Sequence, residues 1–255
     1  MRGVLLCGGL GSRLSDLTLN SFNKHILPVF ANGNYAPMMV HGIKKFVEAG
    51  ITEIIVIIGP EHPDSIIKIL GDGSKFKCNL TFRIQSQPGG IAQALGLCET
   101  FVGQDTCCVI LGDNIFEDSL QPYIEKFNLI YEINKSFILL KEVKNPERFG
   151  VATINKKLNK IVGIREKPGK LEYLNSDYSK LAVTGIYFYS NKVFNVIKWC
   201  KPSQRGELEI TDVNNYFSQD EQIHFDIFQG FWSDVGTVDS YMKTNKYFMN
   251  KNLNA

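Results

Sequence analysis

Paired cysteine spacing is missing from this chain. Its six cysteines, Cys7, Cys78, Cys98, Cys107, Cys108 and Cys200, contain no C-x-x-C pair, so neither a structural zinc nor a disulfide framework is supported. The four histidines, His25, His41, His62 and His224, are scattered without ligand spacing and read as surface or packing residues. An excess of one charge is missing too: 28 Lys and Arg face 26 Asp and Glu, a net charge of +2. With no basic tract, neither a nucleic-acid polymer nor a membrane surface is an expected partner. No apolar run approaches the roughly 20 residues of a bilayer-spanning helix, and glycine breaks up the first ten residues where a signal peptide would be continuous. The expected compartment is the cytoplasm. What remains is an ordinary soluble composition of 255 residues, 44% of them apolar, enough for one large domain or two packed lobes.

The most informative segment stands at the start. An apolar strand at 4–7 is followed by Gly8, Gly9 and Gly11, then by Arg13 and Lys24. Glycines let a backbone approach an anionic ligand closely, and cations near that turn offset phosphate charge. Two familiar glycine motifs do not fit. The dinucleotide fingerprint would need a glycine where Leu14 stands, and the P-loop would need Gly-Lys-Ser/Thr where Gly11 is followed by Ser12 and Arg13.

Strand-like runs at 4–7, 53–58 and 107–111 alternate with helical patterns at 38–49, 64–70 and 91–101, and a short strand at 81–84 precedes the Gly89-Gly90 turn. Such alternation predicts βαβ units with a mostly parallel sheet. Ligands then bind at the carboxyl ends of strands, where the loops 8–13, 85–90 and 112–114 fall. Beyond Asn114 the pattern becomes strands at 136–143, 150–154, 161–166, 181–189 and 223–228. Helices are expected at 192–199, 210–219 and 238–249, with a fraying tail at 250–255. This half reads as a mixed or antiparallel extension. The chain is expected to form one domain over 1–250. Its nucleotide-binding half is 1–115, its sugar-phosphate-binding half 116–240, and a final helix and tail occupy 241–255.

The Gly8 to Leu14 turn, Lys24 before Leu27-Pro28-Val29, and Pro37-Met38 resemble the signature of sugar-phosphate nucleotidyltransferases. Further matches follow in the family's order: Gln85 to Ala94, Leu111-Gly-Asp-Asn114, Glu147 to Val151, Glu166-Lys-Pro168, Val183 to Phe188, Arg205 to Asp212 and Trp232 to Thr237. The wording is most similar to the glucose-1-phosphate thymidylyltransferase branch, and the resemblance implies a Rossmann-like α/β fold. It also implies that a sugar 1-phosphate attacks the α-phosphorus of dTTP or UTP, releasing pyrophosphate with help from Mg²⁺. A phosphate monoester, with a second pKa of about 6, is already anionic at neutral pH, so no general base is needed.

By position, the resemblance assigns Arg13, Lys24 and Asp113 to catalysis and Asp113 and Asp234 to Mg²⁺. It assigns Gly8, Gly9, Gly11, Gln85 and Gly90 to the nucleotide. Asn114, Gly150, Glu166, Lys167, Thr184, Gly185 and Arg205 fall to the sugar phosphate. Arg205 reads equally well as a surface ion-pair residue. The acids of 207–212 read as a capped helix entrance. Gly89 and Ser86 depart from the usual acidic residue and proline, which leaves the base open between thymine and uracil. The 30–36 connection is longer than usual, Ala36 replaces a lysine, and the chain lacks the added C-terminal helices of long relatives. A homodimer or other homo-oligomer is expected, without that allosteric route. Two alternatives stand beside this reading: a UTP-dependent N-acetylglucosamine-1-phosphate uridylyltransferase, and a non-catalytic sugar-nucleotide-binding regulator.

Overall fold

The computed structural model describes residues 1–9, 11–19, 21–130, 135–169, 179–219 and 222–253. Its contacts divide into two compact units that interleave along the chain. One comprises residues 1–88, 109–121 and 230–255; the other comprises 89–108 and 122–229.

In the first unit the sheet order is residues 109–111 of the Cys107–Leu111 strand, Arg2–Cys7, Glu53–Ile58, Asn79–Ile84, and the last three strands pair in parallel. The Glu53–Ile58 strand is buried from Ile54 onward, as the apolar run 54–58 in a parallel sheet should be. Helix Met38–Glu48 lies close on this sheet: a Cβ at Gly42 would come within 2.8 Å of the Leu5 side chain. These elements match the expected βαβ pattern to within a few residues. Two small sheets complete the unit. Asn114–Phe116 pairs antiparallel with Trp232–Asp234, setting Asn114 opposite Asp234. The Pro28–Ala31 and Asn34–Pro37 strands form a hairpin. The long final helix, Val238–Leu253, runs through residues expected to fray; Asn254 and Ala255 lie outside the described residues. Its Asn245 accepts the Phe30 N–H, and its Tyr241 hydroxyl donates to the Pro28 carbonyl.

The second unit carries the mixed extension. Lys160–Glu166, Gly150–Asn155, Leu181–Tyr189 and Ser136–Glu142 follow one another antiparallel, and Ile223–Ile227 joins Ser136–Glu142 in parallel. The 91–101 helix is broken into Ile91–Gly96 and Glu99–Val102, consistent with the poor helix propensity of Gly96. Among the described residues no helix is long and apolar enough to cross a membrane. All six cysteines are free, and burial pushes the Cys107 thiol up to about 12, leaving it unreactive.

Candidate active site

The first strand ends in Cys7, and the chain turns at once through Gly8 and Gly9. Gly11 has φ of 70° and leads into the short turn Ser12–Leu14. Lys24 comes back over this turn: a Cβ at Gly11 would lie 2.9 Å from the Lys24 Cβ, and one at Gly9 would lie 3.9 Å from its Nζ. The ammonium reaches Asp113 Oδ2 at 2.5 Å, with the two side chains only 10% and 17% exposed. Burial raises the Asp113 carboxyl, but the Lys24 charge and the hydrogen bonds from Lys24 and Asn114 override it and hold the acid well below the carboxylate range. Asp113 is therefore an anion throughout the physiological range.

Asp234 joins the same corner through the strand pair. The Val235 N–H donates to the Asp113 carbonyl at 2.8 Å. A Cβ at Gly236 would lie 3.6 Å from both Asp234 Oδ2 and Arg13 Nη2. Two carboxylates and two cations drawn from distant stretches of sequence thus gather beside one glycine turn. Gln85 starts from the end of the Asn79–Ile84 strand and lays its amide against the Gly8 backbone. Asn114 is buried, with its amide donating to Asp113 and its carbonyl accepting from Trp232; here it supports Asp113. A small cleft of about 40 Å³ is lined by Gly8, Gly9, Thr18, Phe22, Asn23, Gly59, Glu61 and His62.

Apart from Asn114, the residues expected to hold a sugar phosphate lie in the second unit. Glu166 accepts from the Thr211 hydroxyl at 2.6 Å and pairs with Lys167 at 3.1 Å and Arg205 at 3.6 Å. Arg205 donates through Nε and Nη2 to Glu209, and these acids outweigh burial in raising its pKa. A Cβ at Gly150 would stand 3.3 Å from both Glu166 and Thr211. Thr184 is fully buried with its hydroxyl given to the Leu139 carbonyl, and Gly185 sits where the strand register shifts between Val183 and Tyr187. Gly90 has φ of 94°, and a Cβ there would come 2.4 Å from the Leu208 carbonyl oxygen; backbone packing alone requires glycine at this point.

A family model for nucleotidyl transferases matches residues 2–251. The chain belongs to that family. Glucose-1-phosphate thymidylyltransferase of Neisseria meningitidis is 39% identical over 243 residues, 94% of this chain and 80% of its own. The low-salt glycan biosynthesis nucleotidyltransferase Agl11 of Haloferax volcanii is 36% identical over 250 residues, 96% of this chain and 65% of its own. Among solved structures, a Bacillus anthracis protein named as a glucose-1-phosphate thymidylyltransferase, with sucrose bound, superposes with a TM-score of 0.87. It shares 45% identity, covering 97% of this chain and 94% of its own. UDP-glucose pyrophosphorylase with UDP-glucose shares the fold, with a TM-score of 0.82 over 98% of each chain at 21% identity.

For a nucleotidyl transferase the first unit's corner gathers residue types that suit the chemistry. Fixed cations offset charge on the transferring phosphate, and hard carboxylate oxygens suit a divalent ion. Sequence reasoning did not single out Asn23 and His25 beneath Lys24, the cleft residues Glu61 and His62, or Glu209 beneath Arg205. A buried histidine or acid has no spacing of its own. The Asn23 cap, directly before the Lys24–Ile26 turn, is the one signal that was available.

Proposed function

We propose that this nucleotidyl transferase joins a pyrimidine nucleoside triphosphate to a sugar 1-phosphate, with dTTP and glucose 1-phosphate as the preferred pair. The buried Lys24–Asp113 contact beside the glycine turn carries this reading. The named activity of the Neisseria relative supports the choice of substrates.

A phosphate oxygen of the sugar 1-phosphate attacks the α-phosphorus. A new P–O bond forms as the bond to the β-phosphate oxygen breaks, and the electron pair leaves with pyrophosphate. The nucleophile is already ionised, so the protein's task is in-line placement and charge neutralisation. Arg13 and Lys24 supply fixed positive charge to the phosphates, and Gln85 offers both a donor and an acceptor to the base edge. Glu166 accepts from sugar hydroxyls, while Lys167 and Arg205 hold the sugar's phosphate. Asp113 and Asp234 fit Mg²⁺, because two hard anionic donors stand on neighbouring strand ends and leave the remaining positions to water and phosphate. The bound ion would supply neutralisation of phosphate-oxygen charge.

Pyrophosphate release with Mg²⁺, measured for five nucleoside triphosphates against glucose, N-acetylglucosamine, galactose and mannose 1-phosphates, tests the reading. Strong turnover of dTTP with glucose 1-phosphate is expected. Preference for UTP with N-acetylglucosamine 1-phosphate would change the substrates and keep the mechanism; thymine and uracil differ by one methyl, worth roughly 1–3 kcal/mol of discrimination. Silence across the grid would favour a binding protein.

A further inference from the structure

Beneath the Lys24–Asp113 contact lies a polar pair to which no substrate role has been given. Asn23 caps the Lys24–Ile26 turn. Its Oδ1 accepts from the His25 backbone N–H at 2.9 Å and from His25 Nδ1 at 2.6 Å, which makes Nδ1 the protonated ring nitrogen. The turn closes with the Leu27 N–H donating to the Lys24 carbonyl. The His25 ring is 2% exposed and also packs against the second catalytic turn. A Cβ at Gly112, the residue before Asp113, would lie 2.9 Å from His25 Cδ2 and 2.4 Å from Cys7 Sγ. Gly112 is in turn tied to the first strand through its N–H and the Leu6 carbonyl at 2.8 Å. One ring therefore braces both the turn that carries Lys24 and the turn that carries Asp113, residues 89 positions apart in sequence.

We propose that the Asn23–His25 pair is a positioning device that sets the approach of Lys24 to Asp113, with His25 acting through those two residues and touching neither substrate. The inference deepens the proposed phosphoryl-transfer reading and rests on it. A filled core would need only an apolar side chain at position 25. A ring pinned by a hydrogen bond also fixes the rotation of the turn, and in-line transfer is sensitive to that, since a misplacement of about 1 Å can cost a hundredfold in rate. His25 does not line the cleft, whereas Asn23 does, so the His25 variants separate positioning from direct contact.

The test compares His25→Leu with His25→Gln, whose amide keeps a donor for Asn23, on enzyme whose native form is first assayed for pyrophosphate release. His25→Leu is expected to lower kcat by about 10- to 100-fold while KM for either substrate changes by less than threefold, and His25→Gln is expected to recover most of that loss. A kcat per folded enzyme within twofold of native, even with a lowered Tm, would overturn the proposal and reduce His25 to packing. Crystal structures of His25→Leu and Asn23→Ala give a readout independent of activity: the Lys24 Nζ to Asp113 Oδ2 distance is expected to open, and an unchanged contact would overturn the proposal. Silence of the native enzyme would instead count against the substrate reading, with the distance still deciding the role of the pair. Should His25→Leu fail to fold, Asn23→Ala carries the same distance test.

Discussion

Lys24 and Asp113 show how much depends on single side chains here. Lys24→Met should lower kcat/KM for pyrophosphate release by roughly 10²–10³, the usual effect of removing one group that stabilises developing charge. It should also destabilise the fold by about 3–5 kcal/mol in urea titrations, because Asp113 is left nearly buried without its cation. His25 gives a pH dependence. Burial first, and then the neighbouring Lys24 charge, lower its pKa to about 3 from 6.5. Between those values the unfolded chain binds a proton that the native protein refuses, so stability falls as pH falls from 6.5 toward 3, by up to about 1.4 kcal/mol per pH unit. Asp113 stays ionised in both states over most of that window, so above about pH 5 the slope belongs to histidine, buried His41 shifts in the same direction, and Glu117, whose pKa is lowered, adds to it only below that. Urea midpoints from pH 7 to 4 measure it, and His25→Gln should flatten the curve. The charged residues of the corner were legible in sequence because glycine turns and motif order announce them. His25 was not, since nothing local distinguishes a brace from any other buried ring.

At the scale of elements, the hairpin over 28–37 is the clearest departure from the sequence reading, which treated 30–36 as an altered loop. Asn32 and Gly33 have φ of 50° and 81°, the pair of positive values that a two-residue type I′ turn requires, and the Asn-Gly dipeptide is its signature. A Cβ at Gly33 meets nothing within 4 Å, so the cost of Gly33→Ala is purely conformational. It should be about 1–2 kcal/mol, read from the urea midpoint. The final helix covers this hairpin, and its buried Phe248 packs edge-on against Phe231 and Tyr247. Phe248→Ala should cost about 3–5 kcal/mol by the same measurement. Helix Gln121–Ile130 also went unread, although Ser119 accepts the Gln121 N–H and Pro122 sits in the first turn, both ordinary start signals. The parallel strands were read correctly because an unbroken apolar run such as 54–58 has few other places to go.

For the molecule as a whole, the two units divide the proposed labour. Glu166→Ala in the second unit should raise KM for the sugar 1-phosphate at least tenfold while leaving the affinity for the nucleoside triphosphate within twofold of native. Isothermal titration with the nucleotide alone, set beside initial rates, separates the two. Asp113→Asn and Asp234→Asn in the first unit should each remove the Mg²⁺ dependence of nucleotide binding, and neither should restore turnover when Mg²⁺ is raised.

The sequence by itself determined the class of chemistry, the alternation of parallel strands and helices in the first 111 residues apart from the hairpin, and the charged residues beside the glycine turn. These are written in motifs and periodicities that span only a few neighbouring residues. Tertiary structure decided which atoms meet: Lys24 with Asp113, Arg13 and Asp234 beside Gly236, His25 beneath both turns, and Thr184 withdrawn into the core. Those encounters depend on strand order, register and burial across tens to hundreds of residues. Residue type alone does not reveal whether a hydroxyl or an amide will be spent on a ligand or on the protein's own backbone.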